Sequence, residues 1–269
     1  MWSRLASLFL FAAILSAAPP TTRTMPSGWP WDVIPHVVDG GSWSTTLILV
    51  NISDKSSQYK LDFRGDDGKP LKLELAGRGS LSTISGVLPV QGAITFQTSG
   101  TAEALTQGWA SLDPDKTDWV ALMAIFRQRV PGRPDYEATV PASTSVDTNS
   151  ILPFDNTSGY VTSIAILNPI DLFTSVVPID IFDETGNRIA TETLRIPQGN
   201  KIAFATSERW PALAGKKGTI QFLDGLYGLS VLGFRFGPTG AFTTLPVMDR
   251  LMSDTSVTAG SQAGKTNSR

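Results

Sequence analysis

The strongest constraint on this chain is that much of it is written twice. Five blocks recur in the same order, so any fold must accommodate both copies. STTLILVNIS at 44–53 aligns with VTSIAILNPI at 161–170, setting Leu47 on Ile164, Leu49 on Ile166 and Asn51 on Asn168. YKLDFRGDDGKPL from Tyr59 aligns with VPIDIFDETGNRI from Val177, with Gly68 on Gly186. LPVQGAITFQTS from Leu88 aligns with IPQGNKIAFATS from Ile196. MAIFRQRVPG from Met123 aligns with VLGFRFGPTG from Val231, setting Phe126-Arg127 on Phe234-Arg235. EATVP at 137–141 aligns with FTTLP at 242–246. Self-similarity at a long, regular period marks one structural unit used twice.

Inside the blocks the apolar period is two. Thr45, Leu47 and Leu49, and separately Tyr59, Leu61 and Phe63, alternate as residues do when one strand face enters a core. GDDGKP and DETGNR are tight-turn sequences, and Gly68 and Gly186 can take the positive φ such turns require. Short runs rich in Val, Ile, Thr and Phe, punctuated by Gly, Pro, Asn and Asp, read as a sandwich or barrel. The expected fold class is all-β, with two tandem immunoglobulin-like antiparallel β-sandwich domains at 30–143 and 150–248. Each would hold about seven to nine strands. A polar linker at 144–149 joins them, and Ser207 is placed to cap a single helical turn.

The flanks read differently. Residues 1–18 have one positive charge, an apolar run from Leu5 to Ala17 and small residues at the end, which is the layout of a secretory signal peptide. Residues 19–29 are a Pro/Thr/Ser linker, and 249–269 are a polar, low-complexity tail expected to be disordered. Export to the periplasm, cell surface or medium follows from the leader. With no cysteine in the chain, an exported fold has to rely on hydrophobic burial instead of disulfides. The same inventory excludes thiol nucleophiles and iron–sulfur clusters. One histidine cannot build a multi-histidine zinc site. Lys and Arg total 22 against 24 Asp and Glu, which gives no basic stripe for nucleic acid.

The phrases PHVVDGGSWSTTLILVN, LPFDNTSGYVTSIAILNP, IPQGNKIAFAT and LGFRFGPTGAFTTLP resemble those of secreted tandem β-sandwich repeat proteins of Acidobacteria and related soil bacteria. The resemblance covers nearly all of residues 30–248. It implies sandwich repeats and export, and it implies no catalytic residue.

Candidate chemistry is sparse. His36 lies on the first strand near Asp39, but strand alternation puts them on opposite faces, which separates a base from its orienting carboxylate. No G-x-S-x-G elbow supplies a serine nucleophile. Asp62, Asp66 and Asp67, with Asp180, Asp183 and Glu184 in the second copy, lack calcium-loop spacing and read as solvated turns. Arg64-Gly65-Asp66 spells an integrin-ligand tripeptide at a hairpin tip, without a counterpart in the second copy. Asn51 and Asn156 head N-x-S/T sequons, which matter only in a glycosylating host. Asn51 and Asn168 end matching strands, where an amide can satisfy turn backbone. Arg127 and Arg235 suit pairing with an acid across the sheet or lying over a ring. Trp109 and Trp119 read as core or inter-domain packing. Trp29, Trp31 and Trp43 cluster near the first strands and are the candidate ligand-binding residues, because flat aromatic faces stack on sugars. No catalytic residue, cofactor or metal site is expected. The leading expectation is a non-enzymatic envelope protein in structure, adhesion or assembly, with other envelope or extracellular proteins or polysaccharide as partners. A carbohydrate-binding module and a secreted hydrolase using carboxylates are the alternatives.

Overall fold

A computed structural model describes residues 32–113, 117, 119–143, 149–223 and 229–249, and their regular secondary structure is nearly all strand. The expected signal peptide, the linker 19–29, Trp29 and Trp31 lie outside the described residues, as do 144–148 and 250–269.

The first half of the chain forms β1 (Val33–Asp39), β2 (Trp43–Asn51), β3 (Ser57–Gly65), β4 (Leu73–Leu75), β5 (Gly79–Leu81), β6 (Thr83–Leu88), β7 (Ala93–Gln97), β8 (Thr106–Leu112), β9 (Val120–Gln128) and β10 (Tyr136–Pro141). The second forms β11 (Asn149–Asp155), β12 (Val161–Leu167), β13 (Ser175–Asp183), β14 (Arg188–Ile196) and β15 (Lys201–Ala205). After a short helix α1 (Thr206–Arg209) come β16 (Lys217–Leu223), β17 (Ser230–Phe236), β18 (Phe242–Leu245) and β19 (Met248–Asp249).

All pairings are antiparallel, giving sheets ordered β1-β8-β3-β6 and β10-β9-β2-β7 in the first half. The second half has β14-β13-β16-β11-β19 and β15-β12-β17-β18. Reading β11 to β18 in place of β1, β2, β3, β6, β7, β8, β9 and β10 turns one pair of sheets into the other. The duplication seen in the residues is therefore a duplication of topology. The first half exceeds its expected strand number because residues 70–82 add the β4–β5 hairpin, where the second half runs from β13 into β14.

Each half is an all-β sandwich with its own apolar filling. Leu61, Phe63 and Leu112 meet Leu47, Leu49 and Phe96 in the first. Ile179, Ile181 and Phe222 meet Ile164, Ile166 and Val231 in the second. Polar anchors recur with the topology. Thr45 Oγ1 donates to Val38 O at 2.8 Å and accepts from Val38 N at 3.0 Å. Thr162 Oγ1 holds Asp155 N and O at 2.8 and 3.1 Å in the same way. Asn51 Nδ2 donates to Lys55 O and Pro89 O, and Asn168 Nδ2 to Phe173 O, Ile196 O and Pro197 O. The backbone-satisfying role expected of these asparagines holds in both halves.

Two local expectations change. Ser207 lies inside α1, whose N-cap is Ala205 without a side-chain cap. The helix starts two residues earlier than a Ser207 cap would place it, with Thr206 fixed by Oγ1 bonds to Thr162 O and Asn156. The Phe-Arg match is also one residue out of structural register. Thr45 faces Phe126, whereas its counterpart Thr162 faces Arg235, so Ile125 and Phe234 occupy equivalent places. A one-residue slip exchanges sheet faces. Phe126 therefore enters its own core, while Leu232, Phe234 and Phe242 point out of the second sandwich and join the core of the first. The hydrophobic filling of the first half is completed by the outer face of β17 and β18.

Candidate functional site

The seam between the halves begins with a bulge. In the second half Leu152, Pro153 and Phe154 face Ile220, Thr219 and Gly218 one to one. In the first, Ile34 faces Ala110 and Val37 faces Gly108, leaving Pro35 and His36 opposite Trp109 alone. His36 is the extra residue. Bulges bend a strand and re-aim side chains, and this one turns the only histidine toward the second sandwich. The alternation that put His36 with Ile34 and Val38 breaks at this point.

The imidazole lies edge-on to Phe126 and Phe234, with ring centroids 5.7 and 5.8 Å away. Its Nδ1 is 2.7 Å from Lys201 Nζ. The ammonium donates, so Nδ1 accepts and the ring is neutral with its proton on Nε2. Burial, and then the Lys201 charge, lower the His36 pKa well below its ordinary 6.5. The Lys201 side chain is fully buried, with Nζ 3.0 Å from Asp66 Oδ1. Burial lowers its pKa, and Asp66 pulls the other way. Asp66 O also accepts from Lys201 N at 3.0 Å, and Asp66 Oδ2 from Gln107 Nε2 at 2.8 Å.

Around this brace, Arg64 pairs with Asp171 at 3.1 Å and lies over the Trp109 ring. Trp109 Nε1 donates to Gly199 O at 3.1 Å, and Trp109 forms a buried cluster with Val33 and Leu167. Gly68 takes φ +76°, and a Cβ there would come within 2.8 Å of Gly199 O. Its counterpart Gly186, at φ +85°, would meet nothing within 4 Å. The same turn is docked in one half and free in the other.

A buried lysine of lowered pKa can be a nucleophile. Here the ammonium donates only to protein groups and its side chain is closed to solvent, so the arrangement acts as a cross-brace. A cleft of about 270 Å³ beside it is lined by His36, Trp43, Gln107, Phe126, Phe204 and Phe234. Below the seam Asp32 is buried, and burial raises its carboxyl to about 6, although Leu122 N–H donates to it at 2.9 Å.

The other sequence candidates fall as follows. Asp39 accepts from Gly100 N at 2.7 Å and takes no part with His36. Arg64 and Asp66 belong to the seam, so Arg64-Gly65-Asp66 is not a free tip, and the turn carrying Asp66 is not merely solvated. Asp62 pairs with Lys60, Asp67 with Lys69, Asp180 with Arg188 and Glu184 with Lys217, while Asp183 accepts from Thr185 and Asn187 within its own turn. Among the described residues no three His, Cys, Asp or Glu side chains gather as metal ligands. Arg127 pairs with Asp135, and Arg235 pairs with Asp155 while lying over Tyr160, as expected of such residues. Trp109 is packing, but Trp119 is 73% exposed just ahead of β9. Its carbonyl accepts from Ile52 N at 2.9 Å, while its side chain stays uncovered. Asn51 and Asn156 are buried, which removes both sequons as acceptors. Trp43 is half-buried, with Phe242 4.9 Å and Phe236 6.5 Å away between ring centroids.

Trp109 packs between the halves as the sequence suggested, and His36, Arg64 and Asp66 were noticed there singly, but Lys201 and Gln107 were missed and the seam as a unit was not seen, because its residues are the ones that do not repeat. By strand register Trp109 corresponds to Thr219, Arg64 to Phe182 and Gln107 to Lys217. Lys201 corresponds to Ala93. The signal was present as mismatch within otherwise matching blocks. No family model matches the chain, and no curated protein matches it.

Proposed function

We propose that this is an exported, non-enzymatic protein of two immunoglobulin-like sandwich repeats, serving in structure, adhesion or assembly at the cell envelope. The observation that carries the reading is the use made of its reactive side chains. The only histidine and the buried Lys201 are held by each other, by Asp66 and by aromatic rings. Export rests on the leader-like residues 1–18, and envelope proteins are the partners this reading implies. The glycan-binding alternative would need an open aromatic face, and the contacts of Trp43 with Phe242 and Phe236 count against it.

The test is expression in a bacterial host with fractionation, intact-mass measurement and a turnover panel of polysaccharides and esters. The expected outcome is an exported chain beginning after Ala18 with no turnover. A cytoplasmic, uncleaved chain would sink the export half of the proposal. Turnover abolished by a single substitution would sink the other half.

A further inference from the structure

Beside the buried brace the two halves meet without closing. The floor of the cleft there is the outer face of β12 and β15, where Ser163 pairs with Ala205 and Ala165 with Ala203. The equivalent pairs in the first half are Thr46 with Gln97 and Ile48 with Thr95. Four larger side chains are thus replaced by one serine and three alanines, all of which line the cleft. The smaller side chains leave room for the hollow of about 270 Å³.

The walls are aromatic and come from both halves. Between ring centroids, Trp43 lies 6.5 Å from Phe236, Phe236 6.3 Å from Phe234, and Phe234 5.6 Å from Phe126. His36 meets Phe126 and Phe234 edge-on at the end of this arc. Among the described residues no Lys, Arg, Asp or Glu lines the cleft, and Lys201 and Asp66 are paired with each other outside its lining. One polar group is left over. Lys201 Nζ occupies His36 Nδ1, which puts the ring proton on Nε2. That Nε2–H has no acceptor among the described residues. Small-molecule pockets combine such apolar, ring-rich walls with a few placed polar groups.

We infer that this cleft binds a small, flat, uncharged ring compound, one acceptor atom of which takes the His36 Nε2–H. Volume sets the size. An apolar cavity of about 150 Å³ holds benzene, so a cleft of about 270 Å³ suits two fused rings. The lining sets the charge, because an ion would be desolvated there with no counter-ion on the walls. A sugar would leave most of its hydroxyls unmet against these rings. A flat apolar ligand instead gains edge-to-face contact with Trp43, Phe234 and Phe236. Because it touches both halves, its occupancy stabilises the seam by mass action. The inference adds a ligand site to the assembly reading and does not depend on it.

Quinoline and naphthalene are the probes, since they share a shape and only quinoline carries an acceptor nitrogen. The protein is untagged and carries isotope-labelled histidine, so its single imidazole reports on His36 alone. At pH 7 both probes should saturate at one per chain and raise the thermal unfolding midpoint. Quinoline should shift the His36 Nε2 resonance further than naphthalene does. His36→Phe keeps a ring and removes the donor, so the quinoline-to-naphthalene affinity ratio should fall about fivefold. Retained naphthalene binding verifies that the cleft persists in that variant. Ala203→Phe fills the cleft from an exposed position, so neither probe should bind. Ala205→Leu carries the same expectation, and unchanged circular dichroism verifies that both filled variants fold. Absence of saturable binding to the parent overturns the inference. So does binding that both filled variants retain, or an affinity ratio that His36→Phe leaves unchanged.

Discussion

Acid stability offers a prediction in which two buried groups pull in opposite directions. His36 is the only histidine, and its folded pKa lies well below the ordinary 6.5 because of burial and Lys201. As pH falls below about 6.5 the unfolded chain takes a proton that the folded chain refuses, so stability is lost. The slope approaches about 1.4 kcal/mol per pH unit. From pH 7 to 5 the loss is about 2 kcal/mol at most, a ceiling because the ring is only partly shielded from water. Asp32 has the opposite sign. Its folded pKa is about 6 against 3.8 ordinarily, so the folded chain takes the proton first and gains stability as pH falls through 6. Over the same interval that gain is about 1 kcal/mol.

The two contributions offset in part, so the parent should lose at most about 1 kcal/mol between pH 7 and 5. The variants should depart from it in opposite directions. His36→Gln keeps an acceptor for Lys201 without a titrating ring, and it should become about 1 kcal/mol more stable on acidification. Asp32→Asn removes the compensating carboxyl and should lose about 2 kcal/mol over the same range. Guanidinium unfolding followed by tryptophan fluorescence at pH 7 and 5 measures all three. If His36→Gln reproduces the parent's pH dependence, the imidazole is not held neutral against Lys201 and the buried brace does not form.

Other perturbations separate shared structure from the seam. Gly68→Ala and Gly186→Ala both strain a positive φ, at roughly 1 kcal/mol each. Only Gly68→Ala also meets Gly199 O, so thermal unfolding should show it clearly the more damaging, and equal losses would refute docking of that turn. Asn51→Ala and Asn168→Ala each remove an amide from several backbone carbonyls and should cost about 1–3 kcal/mol in chemical denaturation. A loss confined to one of them would break the equivalence of the two halves. Trp109→Phe removes the hydrogen bond to Gly199 O and should cost roughly 1 kcal/mol while leaving strand content by circular dichroism unchanged.

The repeated part of the fold was legible because repetition exposes it. Leu47 and Ile164, Asn51 and Asn168, and Gly68 and Gly186 hold the same positions for the same physical reasons in each half. The register of β9 against β17 was not legible. Phe126-Arg127 and Phe234-Arg235 match as letters, but strand pairing shifts one copy by a residue and turns Phe234 outward. The bulge at His36 was equally hidden, since an extra residue leaves no mark until both sheets are compared. A buried lysine is also hard to anticipate. Lys201 opens β15 directly after an exposed-looking turn sequence, and its burial comes from a surface supplied more than a hundred residues earlier, at Asp66 and His36. Side chains serving contacts between the halves follow the geometry of the pair, which periodicity within either half does not encode.

The two sandwiches are joined by Leu232, Phe234 and Phe242 packing into the first core and by the buried His36–Lys201–Asp66 brace, and so should unfold together. Scanning calorimetry of the parent protein at several concentrations tests it most directly. The expected result is one transition whose calorimetric enthalpy equals its van't Hoff enthalpy for the whole chain. Two resolved transitions, each with the enthalpy of one half, would show that the seam does not couple the sandwiches and would contradict the claim.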